Sequence, residues 1–141
     1  MPVKHAIWTV GDKPTHLPVT RLATEQLLED MIENNPCIPS EQWMLIGRQE
    51  HTPTGGRIDQ LAIAPDASLV LIELKRDKTP RDIVAQALDY ATWVEKLSSE
   101  DIAAIYRKYS SGKSLDVAFK ARFNTDLDSP EMNPTLDKRI N

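Results

Sequence analysis

Two neighbouring β-type segments carry apolar side chains on both of their faces, and this pattern limits the fold more than any other. Residues 57–64 and 69–76 flank Pro65-Asp66-Ala67-Ser68, a turn by composition. Successive side chains of a strand point to opposite sides. One face of the hairpin therefore holds Leu61, Ile63, Leu69 and Leu71, and the other holds Ile58, Ala62, Val70, Ile72 and Leu74. Apolar residues on both faces require a central hairpin covered on both sides.

The charged residues of the hairpin break this pattern. With an antiparallel register centred near Asp66, Asp59 lies directly across from Glu73, and directly opposed Cβ atoms are about 4.5–5.5 Å apart. Lys75 shares that face. Two carboxylates and an ammonium at the end of an apolar hairpin are costly to assemble unless something binds there.

The rest of the chain supplies the covering elements. Residues 6–10 read as a short strand followed by a polar turn through Lys13-Pro14. About residues 20–35 read as an amphipathic helix with Leu28, Met31 and Ile32 as its core positions, stopped by Asn34-Asn35-Pro36. Residues 43–47 read as a strand and 49–56 as a polar loop. After the hairpin a helix is expected from a Thr79 cap and Pro80 to about Leu97, burying Ile83, Val84, Ala87, Leu88, Ala91 and Val94. Ser99 caps another helix, and a further one spans residues 115–123. The order predicts an α/β fold around a small mixed sheet, with one domain over residues 1–123 and a polar tail over 124–141.

Composition narrows the function. The 141 residues carry a net charge of −4, so the chain as a whole is not a basic nucleic-acid binder, and contact with phosphates would need a local patch. Arg48, Arg76, Lys78 and Arg81 are candidates for one, with a solvated charge run as the plainer reading. Cys37 is the single cysteine, which excludes an internal disulfide and a cysteine-ligated zinc site and fits a reducing cytosol. No apolar run reaches the roughly 18–20 residues of a membrane span, so a cytoplasmic protein with no membrane partner is expected.

Asp59 and Glu73 offer oxygen ligands that suit Mg²⁺ or Mn²⁺, with the backbone carbonyl of Leu74 as an extra ligand. Such a metal polarises a phosphate and lowers the pKa of bound water. Lys75 would orient or deprotonate that water, or offset charge on the phosphate. The plain alternative is a surface Glu–Lys pair beside a solvated Asp.

Gly56-Arg57-Ile58-Asp59, Ile72-Glu73-Leu74-Lys75-Arg76 and Gln86-Ala87-Leu88-Asp89-Tyr90 together resemble the PD-(D/E)xK phosphodiesterase superfamily, and within it the nuclease domain of NucS-type endonucleases. The resemblance covers roughly residues 7–97, with Ile58 standing where the superfamily's name has proline. It implies a restriction-endonuclease-like fold and a metal-dependent endonuclease acting on nucleic acid, in the first place DNA. It further implies that Asp59 and Glu73 hold the metal, that Lys75 is the catalytic lysine, and that Gln86 and Tyr90 line the site or contact the nucleic-acid backbone. Arg57, on the Asp59 face, is a further candidate for phosphate contact. The superfamily also uses an acidic residue on its first helix. Glu25 lies nearer the Ile32 stripe than Glu29 does, so Glu25 is the expected partner and Glu29 the runner-up.

One departure matters. The superfamily core ends in a strand after the Gln/Tyr helix, and no β-branched run follows Leu97. A missing strand leaves a sheet edge open, and open edges invite pairing, so a homodimer through this region is expected. The rival reading is a non-catalytic nucleic-acid-binding or regulatory module that keeps the nuclease fold. A third is a structural domain of a longer protein.

Overall fold

Alternating hydrophobicity sets the strand register, and the helices then cover whichever face each strand leaves apolar. The structure is a computed structural model that describes residues 5–76 and 81–128. Its elements, in chain order, are β1 (Ile7–Trp8), β2 (His16–Leu17), α1 (Glu25–Asn34), β3 (Met44–His51), β4 (Arg57–Ile63), β5 (Leu69–Ile72), α2 (Arg81–Glu95), α3 (Ser99–Tyr109) and α4 (Leu115–Phe123).

β1 and β2 form a small antiparallel ribbon, and β3-β4-β5 form an antiparallel sheet with β4 in the middle. The β4–β5 pairs Gln60↔Ile72, Leu61↔Leu71, Ala62↔Val70 and Ile63↔Leu69 give the register expected from the turn. That turn closes with Asp66 Oδ1 accepting from Ser68 N at 2.9 Å and buried Ala67 at φ 65°.

The sheet is covered on both sides, as its two-faced pattern requires. Leu61, Ile63, Ile46, Tyr90, Val94, Ile102, Tyr106 and Phe119 pack into one buried cluster with α2, α3 and α4. Ala62, Ile72, Leu74, Leu45 and Ile32 form a second, beneath α1. Ile58 joins the α2–α4 cluster and not the group of Ala62, Ile72 and Leu74 with which it was expected to share a face.

Several expectations need correction. The sheet is purely antiparallel, where a mixed one was expected, and among the described residues no strand follows α2. β3 runs on to His51 because residues 48–51 pair with β4, so residues 49–51 of the expected polar loop are strand and the loop is confined to 52–56. The chain through Lys13-Pro14 is the connection of a ribbon whose second strand was not foreseen. α1 starts at Glu25, since Thr24 caps it by accepting from Leu27 N at 3.1 Å. Ser98, not Ser99, caps α3, in a reciprocal box with Asp101.

The buried stripe of α2 also differs. Tyr90 and Val94 are its buried residues, whereas Val84 and Leu88 are 59% and 64% exposed. Among the described residues the sheet is three strands wide, which fits the exposed outer face of α2. In the tail, Leu127 is buried against the core. Thr79, Pro80, Lys78 and residues 129–141 lie outside the described residues.

Candidate active site

The β4–β5 ladder ends one pair short of Asp59 and Glu73, and Asp59 itself ends it. Leu74 N donates to Asp59 Oδ2 at 2.8 Å, so the chain leaves the ladder after Ile72 and the expected strand over 73–76 does not form. The same bond draws Glu73 and Lys75 to the start of β4. Lys75 Nζ donates to Glu73 Oε1 at 3.2 Å, with the two side chains 30% and 12% exposed. Glu73 Oε2 is buried and has no hydrogen-bond partner among the described residues.

These placements set the charges. Burial raises the pKa of Glu73; the nearby Asp59 charge adds to the rise, and Lys75 opposes it. For Lys75, burial works against the charge, but Glu73, Asp59 and Glu25 together outweigh it and raise its pKa. Lys75 is therefore an ammonium at neutral pH. It suits charge neutralisation, and the role of a base that deprotonates water conflicts with this state.

Glu25 and Glu29 separate clearly. Glu25 Oε1 accepts from Arg76 N at 3.0 Å, which ties the first turn of α1 to the segment just past Lys75. Arg76 also donates from its guanidinium to Ala23 O at 2.8 Å, and a cavity of about 260 Å³ opens among Ala23, Thr24, Glu25 and Arg76. Glu29 is 4% exposed and turned to the sheet, bonded to Arg48 and Gln49. The helix is thus rotated from the expected orientation. Its sheet-facing stripe passes through Glu29, and Met31 is 41% exposed. Glu25 still reaches the site because the segment after β5 comes to it.

Gln86 and Tyr90 clasp the start of β4. Arg57 N donates to Tyr90 Oη at 3.1 Å, and Gln86 Nε2 donates to the same oxygen at 2.5 Å. Tyr90 is buried, so both acceptor sites of its hydroxyl are spent inside the protein. Gly56 makes this approach possible: a Cβ there would stand 2.5 Å from Tyr90 Cε1 and 2.8 Å from its Oη. The pair therefore supports the strand that carries Asp59, while the Arg57 side chain is exposed at the same edge. Of the basic patch, Arg48 is withdrawn into ion pairs with Glu29 and Asp30.

The donor set can be compared with a cation's needs. Among the described residues no three His, Cys, Asp or Glu side chains gather closely enough to hold a metal. The acidic donors are the pair Asp59 and Glu73, and Mg²⁺ is commonly held by one or two carboxylates plus waters and substrate oxygens. Glu73 Oε2, buried without a partner, is the atom that such an ion would satisfy. A larger cavity of about 590 Å³ lies on α3 and α4, and no residue of this cluster lines it.

Sequence reasoning gave Arg48 to a basic patch and missed Gln49 and Gln60; all three bind α1 to the sheet. Their signal was Gln60, a polar residue on a strand with apolar neighbours on both faces; its Nε2 donates to the Glu29 carbonyl, while its Oε1 is buried without a partner among the described residues. Among the described residues no helix is long and apolar enough to cross a membrane. Comparison with known protein families, with curated proteins and with solved structures found no match.

Proposed function

We propose that the chain is a restriction-endonuclease-like, metal-dependent nuclease that hydrolyses phosphodiester bonds of nucleic acid, DNA first, at the Asp59–Glu73–Lys75 cluster. The observation that carries this reading is the buried Glu73 Oε2 without a partner, beside a second carboxylate and an ammonium. Glu33 Oε2 and Gln60 Oε1 are also buried without a partner among the described residues; what distinguishes Glu73 Oε2 is the second carboxylate and the ammonium beside it, a setting that suits a divalent cation.

Asp59 and Glu73 would hold Mg²⁺ or Mn²⁺, with the Leu74 carbonyl as a further donor. When bound, the cation polarises the phosphate and favours ionisation of a water. The chain's own residues do the rest. Lys75, kept protonated by its three acidic neighbours, neutralises charge that builds on the phosphate. Glu25, anchored to the Arg76 amide, adds negative charge that holds Lys75 in place. Arg57 is exposed where a phosphate backbone would approach the β4 end. Tyr90 and Gln86 keep the start of β4 rigid under Asp59.

The test is cleavage of DNA with Mg²⁺ or Mn²⁺ by wild type, Asp59→Ala and Lys75→Ala. Loss of cleavage in both variants is expected, and cleavage equal to wild type in both ends the proposal. β5 is one of the two outer strands of the sheet, with no strand beyond it among the described residues, which supports pairing with a second copy in a cytoplasmic homodimer. A strictly monomeric species in light scattering would remove the dimer and leave the chemistry untouched.

A further inference from the structure

Beneath α1 lies a second polar cluster that the proposed chemistry does not use. Glu29 Oε1 accepts from Arg48 Nε at 2.6 Å, and Gln49 Nε2 lies 2.7 and 2.8 Å from the two carboxylate oxygens. Arg48 Nη2 donates to Asp30 Oδ1 at 2.5 Å, and Gln60 Nε2 donates to the Glu29 carbonyl at 3.3 Å. Three residues from two strands thus grip one turn of helix.

The backbone is bent to allow this. Consecutive residues of an extended strand face opposite ways. Arg48 and Gln49 reach the same helix together because Gln49 adopts φ 55°, in the left-handed region that non-glycine residues rarely enter. The pairs Arg48↔Gln60 and Glu50↔Ile58 place this kink directly across from Asp59. Such a conformation persists where the surroundings over-determine it, and the Glu29 carboxylate does so here.

Desolvation offsets much of the attraction within a buried charge pair, so it adds little stability over a well-packed apolar contact. What it can add is one defined geometry. Here the geometry concerns Glu25, one turn earlier on the same helix, whose carboxylate accepts from Arg76 N. We propose that Glu29, Arg48 and Gln49 are positioning residues: they lock the rotation of α1 on β3 and thereby hold the Glu25 carboxylate at the Asp59–Glu73–Lys75 cluster. Its functional meaning rests on the cation-site reading, while its geometric content does not.

Two measurements on the full chain test it. Hydrogen exchange at the Arg76 amide reports where Glu25 sits without any metal. In Glu29→Gln and in Gln49→Ala this amide is expected to exchange about tenfold faster, the size of one lost hydrogen bond. Glu25→Ala should give the same rise, and the Leu61 and Ile63 amides should keep their wild-type rates. Calorimetry with Mn²⁺ is the second readout: Glu29→Gln should weaken binding several-fold where Glu25 is present and add nothing to Glu25→Ala. If Glu29→Gln also exposes the core amides, Gln49→Ala decides, since it leaves the Glu29–Arg48 pair intact. Wild-type protection of Arg76 in both variants overturns the positioning role, as does an equal loss of Mn²⁺ affinity with and without Glu25. Wild-type protein that binds no Mn²⁺ while Arg76 responds as expected overturns the cation reading and keeps the positioning role.

Discussion

The chain builds two antiparallel hairpins from similar residues, and they meet opposite fates. In β4–β5, Leu61, Ala62 and Ile63 are at most 1% exposed. In the β1–β2 ribbon, Ile7 is 66% exposed, Trp8 56% and the adjacent Val10 104%. Both have regular pairing, with Ile7↔Leu17 and Trp8↔His16 in the ribbon. What separates them is the third strand and the helices on either face of β4. Apolar content makes a strand, and only neighbours make it a platform, since an isolated two-stranded hairpin is marginal in water. The candidate site stands on the platform, where a carboxylate can be held half-desolvated.

The sharpest way to break this comparison is to cut into the platform. Leu61→Ala removes a side chain with no exposure from the central strand. It should cost about 2–5 kcal/mol in urea unfolding. A loss below about 1 kcal/mol would mean that the sheet is not the core described here.

Gly56→Ala is next. The added methyl would collide with the Tyr90 ring and hydroxyl, and because Tyr90 is buried this should cost about 1–3 kcal/mol. Tyr90→Phe frees the Arg57 amide and the Gln86 side chain, which should cost roughly 1 kcal/mol. If the clasp holds β4 in place, both variants also slow DNA cleavage, because Asp59 follows two residues later on the strand that Tyr90 supports.

How much of this was legible in the sequence depends on the range of the interaction. The β4–β5 register was legible because the turn and the alternation both lie within the hairpin, and the observed Gln60↔Ile72 pairing agrees with it. The Asp59, Glu73 and Lys75 neighbourhood was expected from the same rule, but the ladder stops at Gln60↔Ile72 and the Leu74 N–Asp59 bond, which no register predicts, brings the three together. Rotation of α1 was not legible. The periodicity of an apolar stripe cannot show that a buried carboxylate takes part in it, yet Glu29 does, because Arg48, Gln49 and Gln60 come from strands distant in sequence. The kink at Gln49 was hidden for the same reason: neither glycine nor asparagine marks it. The exposure of Val84 and Leu88 fits a sheet three strands wide among the described residues, a width that no single helix encodes.

A smaller effect concerns pH. Burial raises the Glu73 carboxyl above the ordinary glutamate value of 4.5. A raised folded-state pKa means that the contribution of this group to stability is fully present below 4.5 and is lost as pH rises through the folded value. Ionised Glu73 is therefore a burden at pH 7, and Glu73→Gln should raise the melting temperature there. The gain should vanish below pH 4.5, and Mn²⁺ binding should be lost at every pH. A variant less stable than wild type at pH 7 would show that the Lys75 contact outweighs burial.

The smallest effect belongs to the ribbon. In a core, truncating tryptophan to alanine costs about 3–5 kcal/mol. Trp8 touches His16 edge-on at a ring separation of 5.0 Å, and more than half of its surface meets solvent. Trp8→Ala should therefore change stability by no more than about 0.5 kcal/mol, as surface substitutions do. Gly11→Ala should be as mild, since a Cβ there meets no atom within 4 Å. The informative outcome is failure. A loss above about 1 kcal/mol at Trp8 that grows with protein concentration would mean that another copy covers the ribbon, and the ribbon would then acquire neighbours as β4–β5 does. If the loss is independent of concentration, the ribbon folds back onto its own chain and the contrast between the two hairpins collapses.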